Sequence, residues 1–233
     1  MNDYYSIEKI ITEKPCDLEK LNQAFSECTP LSKKEMAKLA VKAMETADIS
    51  VLEGYDDRKP LKEYDEEYIR KVESLPLLKV LQILLDNGLD PNYRLINYHD
   101  GREDVYLLRE AQYWFHPYIS ATVIKLLLEN GADPNLDIGD EGTAYIDLDA
   151  NVAMDITLLP DVIPPEQVQC WFVMTGYGGR PEKVPPFTLR PGHCFEELKE
   201  FKNYDFFIEY DQERKENMLH IINRITGEEI GIL

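Results

Sequence analysis

The sequence predicts a mainly α-helical fold, in which about four degenerate repeats form a helical solenoid and a small C-terminal α+β element caps one end. Three observations support this prediction. A short apolar helix that ends in a glycine-containing turn recurs along the chain. A well-capped amphipathic helix precedes the first clear copy, and strand-like alternation appears only after residue 183.

The clearest copy of the recurring helix reads V-I-K-L-L-L-E-N-G-A-D-P-N at 123–135. Four apolar residues fall at i, i+1, i+4 and i+5, the spacing of one helix face: Val123, Ile124, Leu127 and Leu128. Asn130-Gly131 is predicted to end the helix, because these residues tolerate the left-handed conformation of a C-terminal cap. Pro134 then turns the chain away, since it has no amide hydrogen to continue a helix.

Two further stretches repeat this pattern. L-L-K-V-L-Q-I-L-L at 77–85 runs into D-N-G-L-D-P-N at 86–92, and V-Q-C-W-F-V-M-T at 168–175 runs into G-Y-G-G-R-P-E at 176–182. M-E-T-A-D at 44–48 is a fainter echo. Successive glycines, Gly88, Gly131 and Gly178, lie 43 and 47 residues apart, so three or four units recur at nearly even spacing.

These stretches resemble the second helix and exit turn of an ankyrin repeat, and the resemblance covers about residues 32–182. The spacing exceeds the roughly 33 residues of a standard repeat. The T-P-L-H-x-A signature is also absent, and 100–111 and 140–148 occupy its place. The chain is therefore identified as similar to bacterial ankyrin-repeat proteins with degenerate, elongated repeats. The resemblance implies stacked helix pairs and a concave protein-binding surface.

The segments outside the repeats predict a cap at each end. Residues 1–31 form an N-terminal helical cap with two short helices between 4 and 30, and residues 32–182 carry the repeats. The helix at 32–47 opens with a Ser32/Glu35 capping box, and a charged helix follows at 61–73. Residues 183–233 form a C-terminal cap, with a helix at 195–201 and a β-meander of strands at 205–211, 217–225 and 228–233.

Composition restricts the partners. The 233 residues contain 44 acidic and 25 basic side chains, a net charge of -19. Such a charge repels nucleic acid and anionic membranes, and it favours a basic protein partner or simply serves solubility. The chain shows no signal peptide, no apolar run of about 18 residues and no C-x-x-C pair. We therefore expect a cytoplasmic protein with reduced cysteines, as a monomer or a weak homodimer.

No catalytic, metal or cofactor motif is present. The four histidines form neither H-E-x-x-H nor a cluster with cysteines. G-Y-G-G-R at 176–180 follows a helix rather than a strand, so we interpret it as a helix-ending turn instead of a phosphate loop. D-I-G-D-E-G at 137–142 lacks the ligand spacing of a calcium loop. The sequence thus predicts a protein that is not an enzyme and that holds no metal or cofactor.

The candidate binding residues lie in the two departures from the repeat pattern. The enlarged hairpin tip and first helix before residue 120 carry aromatic and charged side chains, which often stabilise interfaces: Tyr98, His99, Arg102, Glu103, Tyr113 and Trp114. Residues 136–182 hold nine carboxylates against Arg180 alone, a net of -8 over 47 residues. We assign four residues of this acidic segment to the binding surface: Glu141, Tyr145, Asp147 and Asp149.

These features favour a non-enzymatic protein–protein interaction module that binds a basic partner in its concave groove. The sharper hypothesis is an acidic immunity or inhibitor protein, because ankyrin-like proteins of this size and acidity resemble those that accompany bacterial toxins. The alternative is a small-molecule-binding or enzymatic domain built from the C-terminal element and residues 106–118. A third hypothesis is self-association through a sheet edge near the C-terminus.

Overall fold

The computed structural model describes residues 3–52, 66–99, 103–113, 119–137, 143, 165–180, 188–189 and 195–232. This part of the chain is mainly helical and ends in a small sheet, as the sequence predicts. The helices are α1 (Asp3–Thr12), α2 (Leu18–Glu27), α3 (Lys33–Glu45), α4 (Glu66–Glu73), α5 (Pro76–Asp86), α6 (Leu107–Tyr113), α7 (Ile119–Glu129) and α8 (Pro165–Gly176). Short 3₁₀ helices cover Ser50–Leu52 and Phe195–Asn203. The strands are β1 (Leu95–His99), β2 (Glu103–Val105), β3 (Thr188–Leu189), β4 (Tyr204–Asp211), β5 (Glu216–Asn223) and β6 (Glu229–Ile232).

The predicted helix at 32–47 forms as α3, and its capping box is present. The Ser32 amide donates to Glu35 Oε2 at 2.9 Å, and the Glu35 amide donates to Ser32 Oγ at 3.3 Å. These two bonds satisfy amides that the first turn of a helix leaves without partners. The predicted apolar face of α3 is buried: Met36, Leu39, Ala40, Ala43 and Met44.

The helices on either side of α3 also form at the predicted positions. α1 and α2 are the two short helices expected between residues 4 and 30. α4 occupies the described part of the expected charged helix, of which residues 61–65 lie outside the described ranges. Pro76 is the first residue of α5, where its fixed φ fits and its missing amide costs nothing.

The three predicted glycine turns share one backbone geometry. Gly88, Gly131 and Gly178 have φ values of 98°, 89° and 88°. In each turn the amide after the glycine donates to a carbonyl five residues earlier: Leu89 to Leu84 at 2.9 Å, Ala132 to Leu127 at 3.0 Å, and Gly179 to Met174 at 2.9 Å. This six-residue closure is the Schellman motif, which satisfies carbonyls at a helix end. The prediction that 176–180 is a helix-ending turn is therefore confirmed.

An asparagine joins each exit turn to the next one. Asn92 Nδ2 donates to the Gly131 carbonyl at 2.8 Å, and Asn92 Oδ1 accepts from the Asp133 amide at 2.8 Å. Asn135 repeats both bonds one turn later, to the Gly178 carbonyl at 2.9 Å and from the Arg180 amide at 2.7 Å. We call these four bonds the asparagine ladder. It holds successive helix ends in register, although the residues are 39 to 45 positions apart in sequence.

The fainter echo at 44–48 shares part of this geometry. Asp48 Oδ1 accepts from the Ser50 amide at 3.0 Å, as Asp90 accepts from Asn92 at 3.0 Å and Asp133 from Asn135 at 2.8 Å. The short aspartate side chain closes the same local turn in all three places. The turn after α3 is thus related to the later turns, which agrees with the faint sequence echo.

The helices pack into one continuous core. α3 contacts α1, α5 and α6, and α7 contacts α5, α6 and α8. The predicted apolar stripe of α7 is buried, with Val123, Ile124 and Leu127 fully enclosed. Between α5 and α6, β1 and β2 form an antiparallel hairpin. The residues inserted between Tyr93 and Ser120 therefore form this hairpin and α6 within the described ranges, as predicted.

The C-terminal residues form the predicted meander. The four-stranded sheet has the order β3-β6-β5-β4, and β4 pairs with β5 in continuous antiparallel register. Gly227, with φ 71°, lies in the turn between β5 and β6. The segment before β4 differs from the prediction, because 195–203 is a 3₁₀ helix with a break at Glu200 rather than a regular α-helix.

This C-terminal element packs on α8. Leu198 and Phe201 of the 3₁₀ helix are buried, and the rings of Phe172 on α8 and Tyr204 on β4 lie 5.2 Å apart. Two ion pairs lie beside these contacts, Lys202–Glu73 at 2.6 Å and Lys125–Glu200 at 3.0 Å. The predicted boundary near residue 183 lies outside the described residues, and the boundary at 31/32 stays a prediction.

Candidate functional site

The β1–β2 hairpin carries the first group of sequence-predicted binding residues. Its base is fixed, because Leu95 and Val105 are buried as a register pair and Arg94 Nε donates to Asp104 Oδ2 at 2.6 Å. The Arg94 guanidinium also lies over the Tyr106 ring, 5.8 Å from its centroid. Ile96 is 65% exposed next to the buried Leu95, so this side of the hairpin presents an apolar side chain to solvent.

Tyr98 on β1 is half-buried and lies within electrostatic reach of carboxylates on three helices. Burial and then the negative charges of Glu45, Glu8 and Glu110 raise the pKa of Tyr98 to about 12. Glu45 belongs to α3, Glu8 to α1 and Glu110 to α6. Glu110 is only 8% exposed, so its charge acts in a partly desolvated region where charges interact more strongly.

Tyr4 on α1 completes this group. Its hydroxyl donates to Glu8 Oε1 at 2.9 Å, and burial, this hydrogen bond and the Glu8 charge raise the pKa of Tyr4. Tyr5, which is 63% exposed, meets the Tyr4 ring edge-on with centroids 5.3 Å apart. We call Tyr4, Glu8, Glu45, Tyr98 and Glu110 the Tyr98 cluster. Lys42 balances part of its charge through an ion pair with Glu45 at 3.2 Å.

Such a cluster suits the recognition of a cationic side chain. Carboxylates supply the opposite charge and hydrogen-bond acceptors for an ammonium or guanidinium group. Tyrosine rings add an apolar wall with a negative face, which attracts cations. The raised pKa values keep both phenols protonated at neutral pH, and the Tyr4 hydroxyl donates its hydrogen to Glu8 within the cluster.

The structure brings together only part of the predicted site. Tyr98 joins the Tyr98 cluster, His99 and Glu103 are register partners across the hairpin, and Tyr113 is the last residue of α6. The other predicted residues lie outside the described ranges: Arg102, Trp114, Glu141, Tyr145, Asp147 and Asp149. Their place in the binding surface stays a prediction. Of the acidic segment 136–182 that holds the last four, the structure describes residues 136–137, 143 and 165–180. The backbones of Asp137 and Thr143 form an isolated antiparallel β-bridge.

Sequence reasoning missed four members of the cluster, namely Tyr4, Glu8, Glu45 and Glu110. Their sequence positions span more than 100 residues, and no local motif links them. Tyr4 and Glu8 are one helical turn apart, which is the one local signal that the sequence offered for this pair. The approach of Glu45 and Glu110 to Tyr98 depends on the packing of α3 against both α6 and β1.

Two small cavities lie among the described residues. A cleft of about 150 Å³ is lined by the α1–α2 loop and by the facing ends of α3 and α5, smaller than the roughly 300–1,000 Å³ of typical ligand pockets. Its one thiol, Cys16, has a pKa raised by burial and by Asp17 and Glu13, so it stays protonated rather than forming a nucleophilic thiolate. Beside the C-terminal element, a cavity between α4, α7 and the 3₁₀ helix measures about 40 Å³.

In the described ranges, no group of three or more His, Cys, Asp or Glu side chains is arranged to hold a metal ion. None of the described helices combines the length and the apolar composition needed to cross a membrane. Comparison with protein-family models, curated proteins and solved structures gives no match to this chain.

Proposed function

We propose that this protein is a non-enzymatic, ankyrin-like binding module that holds a basic segment of a protein partner at the Tyr98 cluster and the adjoining hairpin. The observation that carries the proposal is the packing of α3 against α1, α6 and β1, which brings the charges of Glu45, Glu8 and Glu110 near enough to the half-buried Tyr98 to raise its pKa. Three helices that are distant in sequence converge there, so the surface depends on the fold rather than on one flexible segment.

The repeated turns support the scaffold part of the proposal. Three helix exits share a Schellman geometry, and the asparagine ladder joins them at one edge of the stack. Ankyrin-like stacks bind partners through hairpin tips and first helices, and here the corresponding insert forms β1, β2 and α6. Tyr98 on β1 and Glu110 on α6 belong to this insert, so the cluster lies where the resemblance places a binding surface.

The charge supports the partner part of the proposal. A net charge of -19 attracts a basic protein over a long range and speeds its association. The cluster then offers close acceptors where Lys or Arg side chains would dock. The sharper version is an immunity or inhibitor protein that masks the active site of a basic, nucleic-acid-degrading toxin, with carboxylates in place of phosphates. The acidic composition and the resemblance support this version.

The test begins with the chain immobilised in lysate of its host, supplemented with the product of the neighbouring gene. We expect a stoichiometric protein partner. The partner is then purified and its affinity measured by calorimetry against the wild type and two variants. Glu45→Lys should weaken binding by about tenfold or more, because it reverses a charge in the cluster. Glu19→Lys, an equal charge change on the exposed face of α2, should change affinity by less than about threefold.

Two results would contradict the proposal. One is the absence of a stoichiometric protein partner together with tight binding of a small molecule. The other is an equal loss of affinity in the Glu45→Lys and Glu19→Lys variants, which would mean that only the overall charge matters. Salt dependence gives a further check, since binding through desolvated ion pairs should weaken less between 0.1 and 0.5 M NaCl than purely long-range attraction.

A further inference from the structure

We infer that the outer edge of β4 is a second interaction surface, which adds an extended, lysine- or arginine-rich strand of a partner protein to the C-terminal sheet. The inference concerns a surface outside the Tyr98 cluster and does not depend on the function proposed for that cluster. It rests on three features of β4: its position in the sheet, the direction of its backbone groups, and its charge.

β4 is an edge strand of the four-stranded sheet. In the part of the chain that the structure describes, it pairs with β5 alone. It is eight residues long, whereas β3 at the opposite edge has two. Natural edge strands are commonly protected by shortness, by a bulge, by proline or by lysine. β4 has none of these, because its register with β5 shows no shift and Tyr204–Asp211 contains neither Pro nor Lys.

The register fixes which backbone groups point outward. Arg224 N donates to Asn203 O at 2.8 Å, and Lys215 N donates to Asp211 O at 2.8 Å, so the odd-numbered residues of this strand direct their polar groups toward β5. Asn223, the register partner of Tyr204, instead donates to Glu228 O at 2.8 Å, away from β4. Because hydrogen-bonding sides alternate along an antiparallel strand, Phe206, Ile208 and Tyr210 direct their N–H and C=O groups to the outer edge.

Unpaired backbone N–H and C=O groups at a sheet edge can form a ladder of hydrogen bonds with an added strand, and several peptide-binding domains bind their ligands in this way. Three alternate donor–acceptor residues span about 14 Å, since strands rise about 3.4 Å per residue. A segment of five to seven extended residues would therefore pair along the available edge.

The acidic side chains of β4 indicate that its outer edge pairs with a basic segment rather than with β4 of a second copy. The strand contains Asp205, Glu209 and Asp211 and no Lys or Arg. Antiparallel self-pairing centred on Ile208 would set Asp205 against Asp211, and pairing centred on Phe207 would set Asp205 against Glu209. Like charges directly across strands are destabilising, and each copy also carries a net charge of -19.

A basic strand would instead place positive charges opposite the carboxylates of β4. Arg224 lies 3.6 Å from Asp205 and Arg214 lies 3.8 Å from Asp211, so the two ends of β4 are partly balanced within the chain. Glu209 adds an acidic position between them. Lys or Arg at alternate positions of an added strand would lie opposite this acidic row, and opposite charges directly across two strands stabilise their pairing.

The experiment uses the full chain and a capped eight-residue peptide that alternates Lys with Thr. We expect the peptide to slow hydrogen exchange at the amides of Phe206, Ile208 and Tyr210, measured by NMR. Two peptides serve as controls. One alternates Glu with Thr, and the other keeps the lysines but carries an N-methyl group on every Thr, which removes backbone donors without changing the charge. Both should bind about tenfold or more weakly than the Lys/Thr peptide.

Two variants test the same edge from the protein side. Ile208→Pro removes an outward N–H, a place where an edge strand tolerates proline, and it should abolish the protection while circular dichroism shows the sheet retained. Ile208→Thr keeps the N–H and a β-branched side chain, so it should bind the Lys/Thr peptide within about twofold of the wild type. Glu45→Lys should leave the slowed exchange at the Phe206, Ile208 and Tyr210 amides unchanged, which separates this inference from the function proposed for the Tyr98 cluster.

Three outcomes would overturn the inference. The first is a wild-type dimer in sedimentation that Ile208→Pro converts to monomer, since a second copy would then occupy the edge. The second is equal binding of the N-methylated and unmodified Lys peptides, which would show attraction without strand addition. The third is the absence of slowed exchange at all three amides at millimolar peptide.

Discussion

At the residue scale, Gly131 illustrates how a turn depends on one position. Its φ of 89° lies in the region that L-residues with a Cβ avoid, yet an added Cβ would meet no atom within 4 Å. Any cost of substitution there comes from the backbone conformation and not from a clash. The same two facts hold at Gly88 and Gly178, so the three turns share one physical requirement.

We therefore expect Gly131→Ala to lower the free energy of unfolding by about 1 kcal/mol, the cost of placing a Cβ in the left-handed region. Gly131→Asn should cost clearly less, because Asn tolerates this conformation better. Urea denaturation of both variants measures the difference. Equal losses for Ala and Asn would contradict the argument from backbone conformation.

Asp90 links its turn to the start of α3. The hydrogen bond from Lys33 Nζ to Asp90 Oδ2, at 2.8 Å, is the main cause that holds the Asp90 pKa below its usual 3.8, and the bond from the Asn92 amide adds to it. A lowered pKa in the folded state means that the unfolded chain binds the proton first as the pH falls. The stabilisation is therefore present above pH 3.8 and is lost as the pH falls through the folded-state pKa.

Asp90→Asn tests this pH dependence, because Asn keeps an oxygen that can accept from the Asn92 amide but removes the charge. We expect the variant to unfold more easily than the wild type at pH 6 and the difference in free energy of unfolding to shrink as the pH falls below 3.8. Denaturation with urea at a series of pH values measures this. A difference that stays constant down to pH 2.5 would show that the charge of Asp90 contributes nothing.

At the scale of elements, the asparagine ladder explains how turns 43 to 47 residues apart keep a common alignment. Each asparagine uses its amide as both donor and acceptor, so two bonds fix both the position and the orientation of the following turn. The local Asp turns prepare this arrangement, because Asp90 and Asp133 hold the backbone of the two ladder asparagines. The helix ends are thus tied together at one edge of the stack while apolar faces pack between the helices.

We expect Asn92→Ala and Asn135→Ala each to reduce the free energy of unfolding by about 1–2 kcal/mol, since two partly exposed hydrogen bonds are lost in each case. Asn22→Ala is the matched control. Its side chain makes one exposed bond to the Leu18 carbonyl at 3.0 Å within a single helix, and its loss should cost less than about 0.5 kcal/mol. Chemical denaturation compares the three variants, and a loss at Asn22 as large as at Asn92 would contradict the linking role.

At the scale of the whole molecule, the C-terminal element and the helical stack meet through two kinds of contact. One is apolar, with the Phe172 and Tyr204 rings packed in a region where Leu198 and Phe201 are also buried. The other is ionic, and the Lys202 and Glu73 side chains of its shortest pair remain 37% and 45% exposed. Exposed ion pairs contribute about 0–1 kcal/mol, whereas truncation of a large buried aromatic side chain costs about 3–5 kcal/mol. Apolar packing therefore dominates the attachment of this element.

Tyr204→Ala should accordingly lower the free energy of unfolding by about 3 kcal/mol, and Lys202→Met by less than about 1 kcal/mol. Urea denaturation with Trp fluorescence reports both, because Trp171 lies next to Phe172 on α8 and is 1% exposed. A larger loss for Lys202→Met, or a wild type that 0.5 M NaCl destabilises strongly, would mean that the ionic contacts hold the element in place.

Much of the local structure could be predicted from the sequence alone. Helix positions, the capping box at Ser32, the three glycine exits and the C-terminal meander follow from periodicity and from the conformational limits of glycine and proline, which act over a few neighbouring residues. The contacts between distant side chains, in contrast, depend on tertiary packing. The Tyr98 cluster and the asparagine ladder join residues up to about 100 positions apart, and their partners are set by how α1, α3, α6 and the exit turns pack. The local sequence around a charged residue or an asparagine does not indicate its distant partner, because the two side chains are brought together only when the core between them packs.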